Sequence, residues 1–396
     1  MSGIAFSLGK LSMSKLCGLT LADPNVPTPS FVIEEARLEK NLRRALDQAR
    51  RLGVKLRPHL KTHKSIGIAL RQMESPRGPA CVSTLLEAEY FFSHGVTDLL
   101  YAVGIAPQKL AQVASLRKEG CDLKIILDNV AAADAVSEFC EKHGVSVPVL
   151  LEVDVDGHRS GLAPESPELL AVAGHLRGGA RLVGVLTHAG ASYDEPDLDH
   201  VRAAAELERD GIVLAAKRLR EAGHTVEIVS AGSTPTVLTA EDETGVTEVR
   251  CGVYSLFDLF MTNVGVATVD DIAGSVLATV IGHQPAKGQV IVDAGWMAMS
   301  RDRGTARQKR DYGYGLVCDV AGTPIRGGTV LMTGANQEHG IIEATEGPAL
   351  RPEDFPVGTR LRILPNHACP AAAPYEKLLL VRDGKILEEL THVRGW

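Results

Sequence analysis

Lys61 stands between two histidines, His59 and His63, with Arg57 and Lys64 outside them. A lysine among cationic or cationisable groups has its charged form disfavoured, and its neutral amine becomes a usable nucleophile. That is the chemistry of a lysine that forms a Schiff base with an aldehyde. A basic loop on a soluble protein would give the same string of residues. A second pair, His367 and Cys369, lies two positions apart in Leu-Pro-Asn-His-Ala-Cys-Pro, residues 364–370. In an extended segment such residues share a face. One imidazole and one thiolate suit zinc, and two protein ligands leave the open positions that a catalytic metal needs. A strand-end histidine beside a buried cysteine is the alternative.

These residues need elements to place them. Short apolar runs alternate with helical patterns from about residue 30 to 265. Strands are expected at 30–33, 79–83, 99–102, 123–127, 147–153, 182–187, 227–230 and 247–252. Helices are expected at Glu34–Gly53, Leu85–His94, Pro107–Glu119, Val130–His143, Pro167–Arg177 and Leu198–Ala222. Continuous apolar strands separated by helices fit an α/β fold, a (β/α)8 barrel with parallel strands buried on both faces. After about residue 270 apolar segments follow one another across Gly and Pro turns, which reads as an antiparallel β domain. The expected division is 27–268 for the barrel and 269–396 for the β domain, with residues 1–26 packed on the latter.

Active sites of such barrels sit at the C-terminal ends of the strands. Lys61 follows the approach through Val54 and Leu56. Arg159, His188 and Tyr193 follow later strands, as do Gly232, Ser233 and Thr234, and then Gly252 and Tyr254. The run Gly-Ser-Thr-Pro-Thr, residues 232–236, offers hydroxyls and backbone N–H groups before a helix start, which can seat a phosphate. It can equally be an ordinary turn. Beside a Schiff-base lysine, such a seat points to pyridoxal phosphate. Gln337, Glu338 and His339 crowd one turn, placed to face a metal or substrate or only to close that turn. The polar, Gly-rich stretch 293–305 is placed to reach over the barrel mouth of its own chain or of a partner.

The chain has 396 residues, enough for about two domains, and its 45% hydrophobic content supports a sizeable core. A net charge of -7 argues against a nucleic-acid partner. No apolar run is long enough to span a bilayer, and the start reads as mature chain, so no membrane partner is expected. Seven cysteines without a CxxC pattern fit reduced thiols in a cytoplasmic protein.

Nine ordered segments carry a family likeness: residues 57–64, 82–89, 156–161, 186–190, 232–236, 245–254, 293–307, 334–340 and 365–369. On them the chain resembles the fold-type III pyridoxal-phosphate enzymes of the D-serine dehydratase and D-threonine aldolase group. The resemblance implies an alanine-racemase-like barrel with a β domain, in a homodimer. It implies that Lys61 carries the cofactor, that His188 stacks on its ring, and that Arg159 and Tyr193 line cofactor and substrate. Gly232, Ser233, Thr234, Gly252 and Tyr254 would surround the phosphate and ring edge. His367 and Cys369 would bind zinc, with manganese or another divalent ion as the alternative. The thiolate ligand favours dehydration of a small D-3-hydroxy amino acid, such as D-serine or 3-hydroxy-D-aspartate, to a 2-oxo acid and ammonia. Retro-aldol cleavage is the nearest rival, a racemase has no need of the metal pair, and a cofactor carrier has no need of the β domain.

Overall fold

The computed structural model describes residues 15–396. Eight parallel strands make one curled sheet, in the spatial order Lys55–Leu56, Glu248–Val249, Ile228–Ala231, Ala180–Thr187, Val147–Val153, Asp122–Leu127, Asp98–Gly104 and Ala80–Val82. A parallel bridge between His59 and Cys81, with Cys81 N–H donating to Pro58 O at 2.8 Å, joins the two ends. Successive strand residues face opposite ways. Cys81, Leu100, Ile126, Leu150 and Leu186 therefore form a separate buried cluster inside the ring. Their neighbours Val82, Tyr101, Ile125, Leu151 and Val185 belong to the larger core under the helices. This double burial explains why the strands read as unbroken apolar runs.

The surrounding helices carry their own start and stop signals. Asn129 caps Val130–His143 by accepting from Ala132 N–H, and Gly144 ends it with φ +62°. Thr84 caps Leu85–Ser93, and Asp197 caps Leu198–Glu221 by accepting from the N–H groups of Asp199 and His200. Each helix returns the chain to the start of the next strand, so loops with free side chains gather at the strands' C-terminal ends.

The second sheet has nine strands, ordered Gln289–Val292, Gly340–Ala344, Val330–Ala335, Gly315–Cys318, Arg360–Pro365, Gly274–Gln284, Ser30–Glu34, Lys377–Arg382 and Lys385–Thr391. The strand Gln289–Val292 also pairs with Gly274–Gln284, closing the first six into a small barrel. All pairings are antiparallel except that of Ser30–Glu34 with Lys377–Arg382. The segment ahead of it follows the same sheet. Gly18 N–H donates to Ile386 O at 2.8 Å, and Leu21 and Val26 pack with Leu277, Leu379 and Ile386. Residues 1–14 lie outside the described ones.

One expected barrel strand is corrected. The run 30–33 pairs with Gly274–Gln284 and Lys377–Arg382, and the ring instead takes the two-residue strand Lys55–Leu56. Ser30–Ile33 is buried on both faces, so its apolar pattern matches that of a barrel strand, and partner identity decides between them. Gly315–Cys318, Gly340–Ala344 and Lys385–Thr391 are strands that the sequence pattern did not mark.

Candidate active site

Lys61 sits in a single 3-10 turn, Leu60–Thr62, directly after the closing bridge at His59. Its side chain enters a cavity of about 480 Å3 at the strands' C-terminal ends. That size suits a cofactor with a small substrate. The cationic neighbours expected to tune Lys61 are committed elsewhere. Arg57 pairs with Glu248 and Asp98, each at 2.8 Å, and Lys64 pairs with Glu87 at 3.1 Å. His63 is buried away from the cavity, with Nε2 2.8 Å from Gln72 Oε1 and Nδ1 accepting from Ser65 N–H at 3.0 Å. Of these four sequence neighbours His59 alone shares the cavity with Lys61 among the described residues.

Opposite Lys61 the wall is built from two stitched loops. His188 Nδ1 donates to Gly232 O at 3.2 Å, which fixes the tautomer and leaves Nε2 as an acceptor. Burial, with the charges of Lys61, Arg159 and Arg250, pushes its pKa down to about 3 despite that bond. The ring is therefore neutral. Gly232 has φ +126°, and a Cβ there would meet Arg250 O at 2.4 Å, so only glycine fits. Ser233 caps the helix Thr234–Thr239, and its Oγ lies 2.8 Å from Ser192 Oγ of the other loop. Behind both, the buried carboxylate of Glu208 accepts from Ala189 N–H at 2.8 Å, Gly232 N–H at 3.0 Å and Thr236 Oγ1 at 2.6 Å. Gly252 lets its strand end approach His59, where a Cβ would lie 3.2 Å from His59 Cβ.

The β domain supplies the third side. His367 is extended, but Cys369 lies in the first turn of a short helix, Ala368–Ala372. The two residues are thus not neighbours on one strand face as the spacing implied. They still meet: Cys369 hydrogen-bonds His367, and its Sγ lies 3.3 Å from Thr62 Oγ1, next to Lys61. Burial works against the thiolate, but the charge of His367 and their hydrogen bond, then Lys61 and Thr62, hold the thiol below its ordinary value. His367 is correspondingly held well above its own, against burial, by Cys369 and by Asp302 Oδ2 at 2.7 Å from Nδ1. Asp258, buried, accepts from Ala368 N–H at 2.9 Å and anchors the turn.

Ten of the eleven residues expected from the sequence line this cavity or sit at its edge. Lys61, Arg159, His188, Tyr193, Gly232, Ser233, Thr234, Gly252, His367 and Cys369 all belong to it. Tyr254 does not: it is fully buried, and its hydroxyl accepts from Gln72 Nε2 at 3.2 Å. Gln337, Glu338 and His339 form an exposed turn, closed by Asn336 N–H to His339 O at 2.8 Å, and face neither the cavity nor the pair. The stretch 293–305 does reach the mouth of its own chain, bringing Asp302 and Gly304. Arg250, Glu152, Asp258 and Arg307 also line the cavity and were not singled out. Arg250 had a visible signal, a positive charge inside the expected strand 247–252.

The donor set fits a phosphate-bearing aldehyde and a soft divalent ion. His59 Nδ1, Thr187 Oγ1 and Thr234 Oγ1 are buried, belong to cavity residues and lack hydrogen-bond partners. Buried polar atoms seldom stay unpaired without a ligand. A histidine whose other nitrogen is held by a carboxylate is the usual orientation of a metal-binding imidazole. Among the described residues no cluster of three or more His, Cys, Asp or Glu could hold a metal, so a bound ion would keep positions for water or substrate.

Comparison with known proteins gives consistent likenesses. The family model described as alanine racemase, N-terminal domain, matches residues 33–259, and that described as a putative serine dehydratase domain matches 273–381. The chain is 52% identical to D-threo-3-hydroxyaspartate dehydratase of Delftia sp. (strain HT23), over 93% of its own length and 98% of the relative's. It is 28% identical to D-serine dehydratase of Dictyostelium discoideum, over 94% and 98%. A cysteine-to-alanine mutant of D-threo-3-hydroxyaspartate dehydratase, solved in the metal-free form, superposes with a TM-score of 0.92 at 50% identity, covering 96% of this chain and 100% of that one.

Proposed function

The chain belongs to the fold-type III pyridoxal-phosphate enzymes of the D-serine dehydratase and D-threonine aldolase family, and from that premise we propose that it is a carbon–oxygen lyase, a dehydratase of small D-3-hydroxy amino acids. The substrate loses its α-proton and its β-hydroxide, together one water. The enamine left behind takes up water and yields a 2-oxo acid and ammonia. D-Serine gives pyruvate, and 3-hydroxy-D-aspartate gives oxaloacetate. One observation carries this reading: Lys61 and the Cys369–His367 pair open into one cavity, with Cys369 Sγ 3.3 Å from the residue next to Lys61.

Lys61 would hold the aldehyde of pyridoxal phosphate, with Ser233, Thr234 and Gly252 beside the phosphate and His188 against the ring. When bound, that group supplies an electron sink for charge at the α-carbon. Cys369 and His367 would hold a divalent ion, zinc by the softness of sulfur, which supplies Lewis acidity to the β-oxygen. The protein's own part is positional. The amine of Lys61 is the base placed to take the α-proton. His188, neutral with Nδ1–H committed to Gly232 O, offers no proton of its own to the ring face. Asp302 fixes the imidazole of His367, and Glu208 fixes both loops of the opposite wall.

Among the described residues no helix is long and apolar enough to cross a membrane, and all seven cysteines are free. Reduced thiols support a cytoplasmic enzyme, and the family supports a homodimer. The purified protein, given D-3-hydroxy amino acids, should release ammonia and a 2-oxo acid and should stop when a chelator removes the metal. Release of glycine and an aldehyde would instead establish the aldolase reaction, and bound cofactor without turnover a carrier.

A further inference from the structure

Lys61 and Cys369 stand on two different domains, so their spacing is only as firm as the ties between those domains. Domains move relative to one another unless an interface holds them. The barrel side of the spacing is the turn Leu60–Thr62, continued by Lys64. Lys64 N–H donates to Leu60 O at 2.8 Å, and its backbone takes φ +51°, which a residue with a side chain keeps only where its surroundings support it. The β-domain side is the helix Ala368–Ala372, which carries Cys369 and leads into Pro374 and Tyr375. Tyr375 N–H donates to Ala372 O at 3.4 Å, and its hydroxyl donates to Ala298 O at 3.1 Å.

A third segment touches both sides. After the strand Lys385–Thr391 the chain leaves the sheet. His392 Nε2 donates to Tyr375 O, and Arg394 Nη1 donates to Pro374 O at 3.3 Å. Between them Val393 N–H donates to Lys64 O at 3.0 Å. Three consecutive residues therefore bond alternately to the chain just after Cys369 and to the chain just after Lys61. His392 is buried, which shields its bond from competing water. The direct contact between the two turns, Cys369 Sγ to Thr62 Oγ1 at 3.3 Å, is a weak one because sulfur is a poor donor.

We propose that residues 392–394 form a positioning strap, with Val393 as its tie to the barrel, that sets the spacing between Lys61 and the Cys369–His367 pair. This rests on the reading above, in which Lys61 holds the cofactor and Cys369 with His367 the metal. It adds residues that touch neither group but bring both to bear on one substrate.

The test removes the barrel tie from the holoenzyme. Val393→Pro has no backbone N–H to give Lys64 O. It should keep the visible absorbance of the cofactor and the bound metal. Its kcat for ammonia release, from the better of D-serine and 3-hydroxy-D-aspartate, should fall roughly 10- to 100-fold with KM changed much less, as expected for groups misplaced by about an ångström. Val393→Ala, which keeps the N–H, should recover most of the parent's kcat. Unchanged kcat in the proline variant overturns the inference. So does loss of cofactor or metal in step with activity, which would make the segment a support of the fold and not of the spacing. Should the proline variant not fold, hydrogen exchange of the unaltered protein decides. Zinc added to the metal-free holoenzyme must slow exchange of the Val393 amide, because a strap that holds two turns is held by them in return. Exchange of that amide unaffected by zinc overturns the inference. If the unaltered enzyme releases glycine and an aldehyde instead of ammonia, the lyase reading falls, and the strap is judged by the same kcat comparison on that reaction. If it turns over neither way, the lyase reading falls and hydrogen exchange alone judges the strap.

Discussion

The two walls of the cavity solve different electrostatic problems. The barrel wall, made of the loops after Ala180–Thr187 and Ile228–Ala231, is held by neutral donors. His188 is uncharged, Ser192 and Ser233 share a hydrogen bond, and the carboxylate of Glu208 behind them spends its oxygens on two backbone N–H groups and the Thr236 hydroxyl, while Asp156 accepts from Ala191 N–H at 2.8 Å. The β-domain wall is the reverse, a chain of opposite charges in which Asp302 and Cys369 flank His367. Buried groups of this kind favour ionisation only while each has its partner. In the proposed reading the barrel wall would present a fixed shape to a dianion. The other wall holds the Cys369 thiol below its ordinary value, which in the proposed reading would suit a cation, and the charges that set it come from separate stretches of chain, Asp258, Asp302 and 366–369.

The comparison breaks most sharply if the two reactive groups are removed one at a time. Lys61→Ala should abolish the visible absorbance of bound cofactor and lower turnover roughly 10⁴-fold. Retained absorbance would take Lys61 out of its role. Cys369→Ala should lower turnover less, on the order of 10² to 10³-fold, the scale of one lost electrostatic contact to a leaving oxygen. It should lose the metal, measured by elemental analysis, and keep the absorbance. If both variants lose both signals, the walls are not separable and the distinction drawn here fails.

A milder change sharpens the account of the barrel wall. Glu208→Ala leaves two buried donors, the N–H groups of Ala189 and Gly232, without an acceptor, and each such loss costs about 1–3 kcal/mol. We expect a lower Tm and at least a tenfold weaker hold on cofactor in a dialysis titration. Glu208→Gln keeps one oxygen for Ala189 and Gly232 and should restore most of the affinity. If the alanine variant binds cofactor as tightly as the parent, the loops are held without Glu208, by contacts such as His188 to Gly232 and Ser192 to Ser233.

How much of this was legible in the sequence depended on whether the deciding interaction was local. Val130–His143 could be read to the residue because its cap, Asn129, and its stop, Gly144, adjoin it. The residues at strand ends could be read because the βα rhythm puts chemistry there. Ser30–Glu34 could not be placed, because a strand buried on both faces looks the same in either sheet, and its partners lie more than 200 residues away. Tyr254 was misjudged for a similar reason. Its turn, Val253–Ser255, points the ring away from the cavity toward Gln72, 182 residues earlier. Arg57 and Lys64 looked like neighbours of Lys61 in the sequence, but Glu248, Asp98 and Glu87 claim them in space.

The smallest expected effect concerns acid. Three imidazoles of the barrel, His63 buried and His59 and His188 half-buried, have their charged forms disfavoured, with desolvation the main cause in each. His63 is pushed down to about 4 and His188 to about 3. In the unfolded chain each would titrate near about 6.5. Between those values the unfolded state binds protons that the folded state refuses. The stability contribution is therefore intact above about pH 6.5 and is lost as pH falls toward 4, by up to about 1.4 kcal/mol per pH unit for each group. His63 isolates the effect because it lies outside the cavity and its two nitrogens are satisfied by Gln72 and Ser65. Urea unfolding of His63→Gln at pH 7 should show a stability loss of about 1–3 kcal/mol, from the buried hydrogen bonds. Between pH 6.5 and 4.5 its stability should then decline less steeply than the parent's, by one proton's worth of slope. Parallel declines in parent and variant would mean that His63 takes up its proton in the folded state, which a buried imidazole facing a glutamine and a backbone N–H has little means to stabilise.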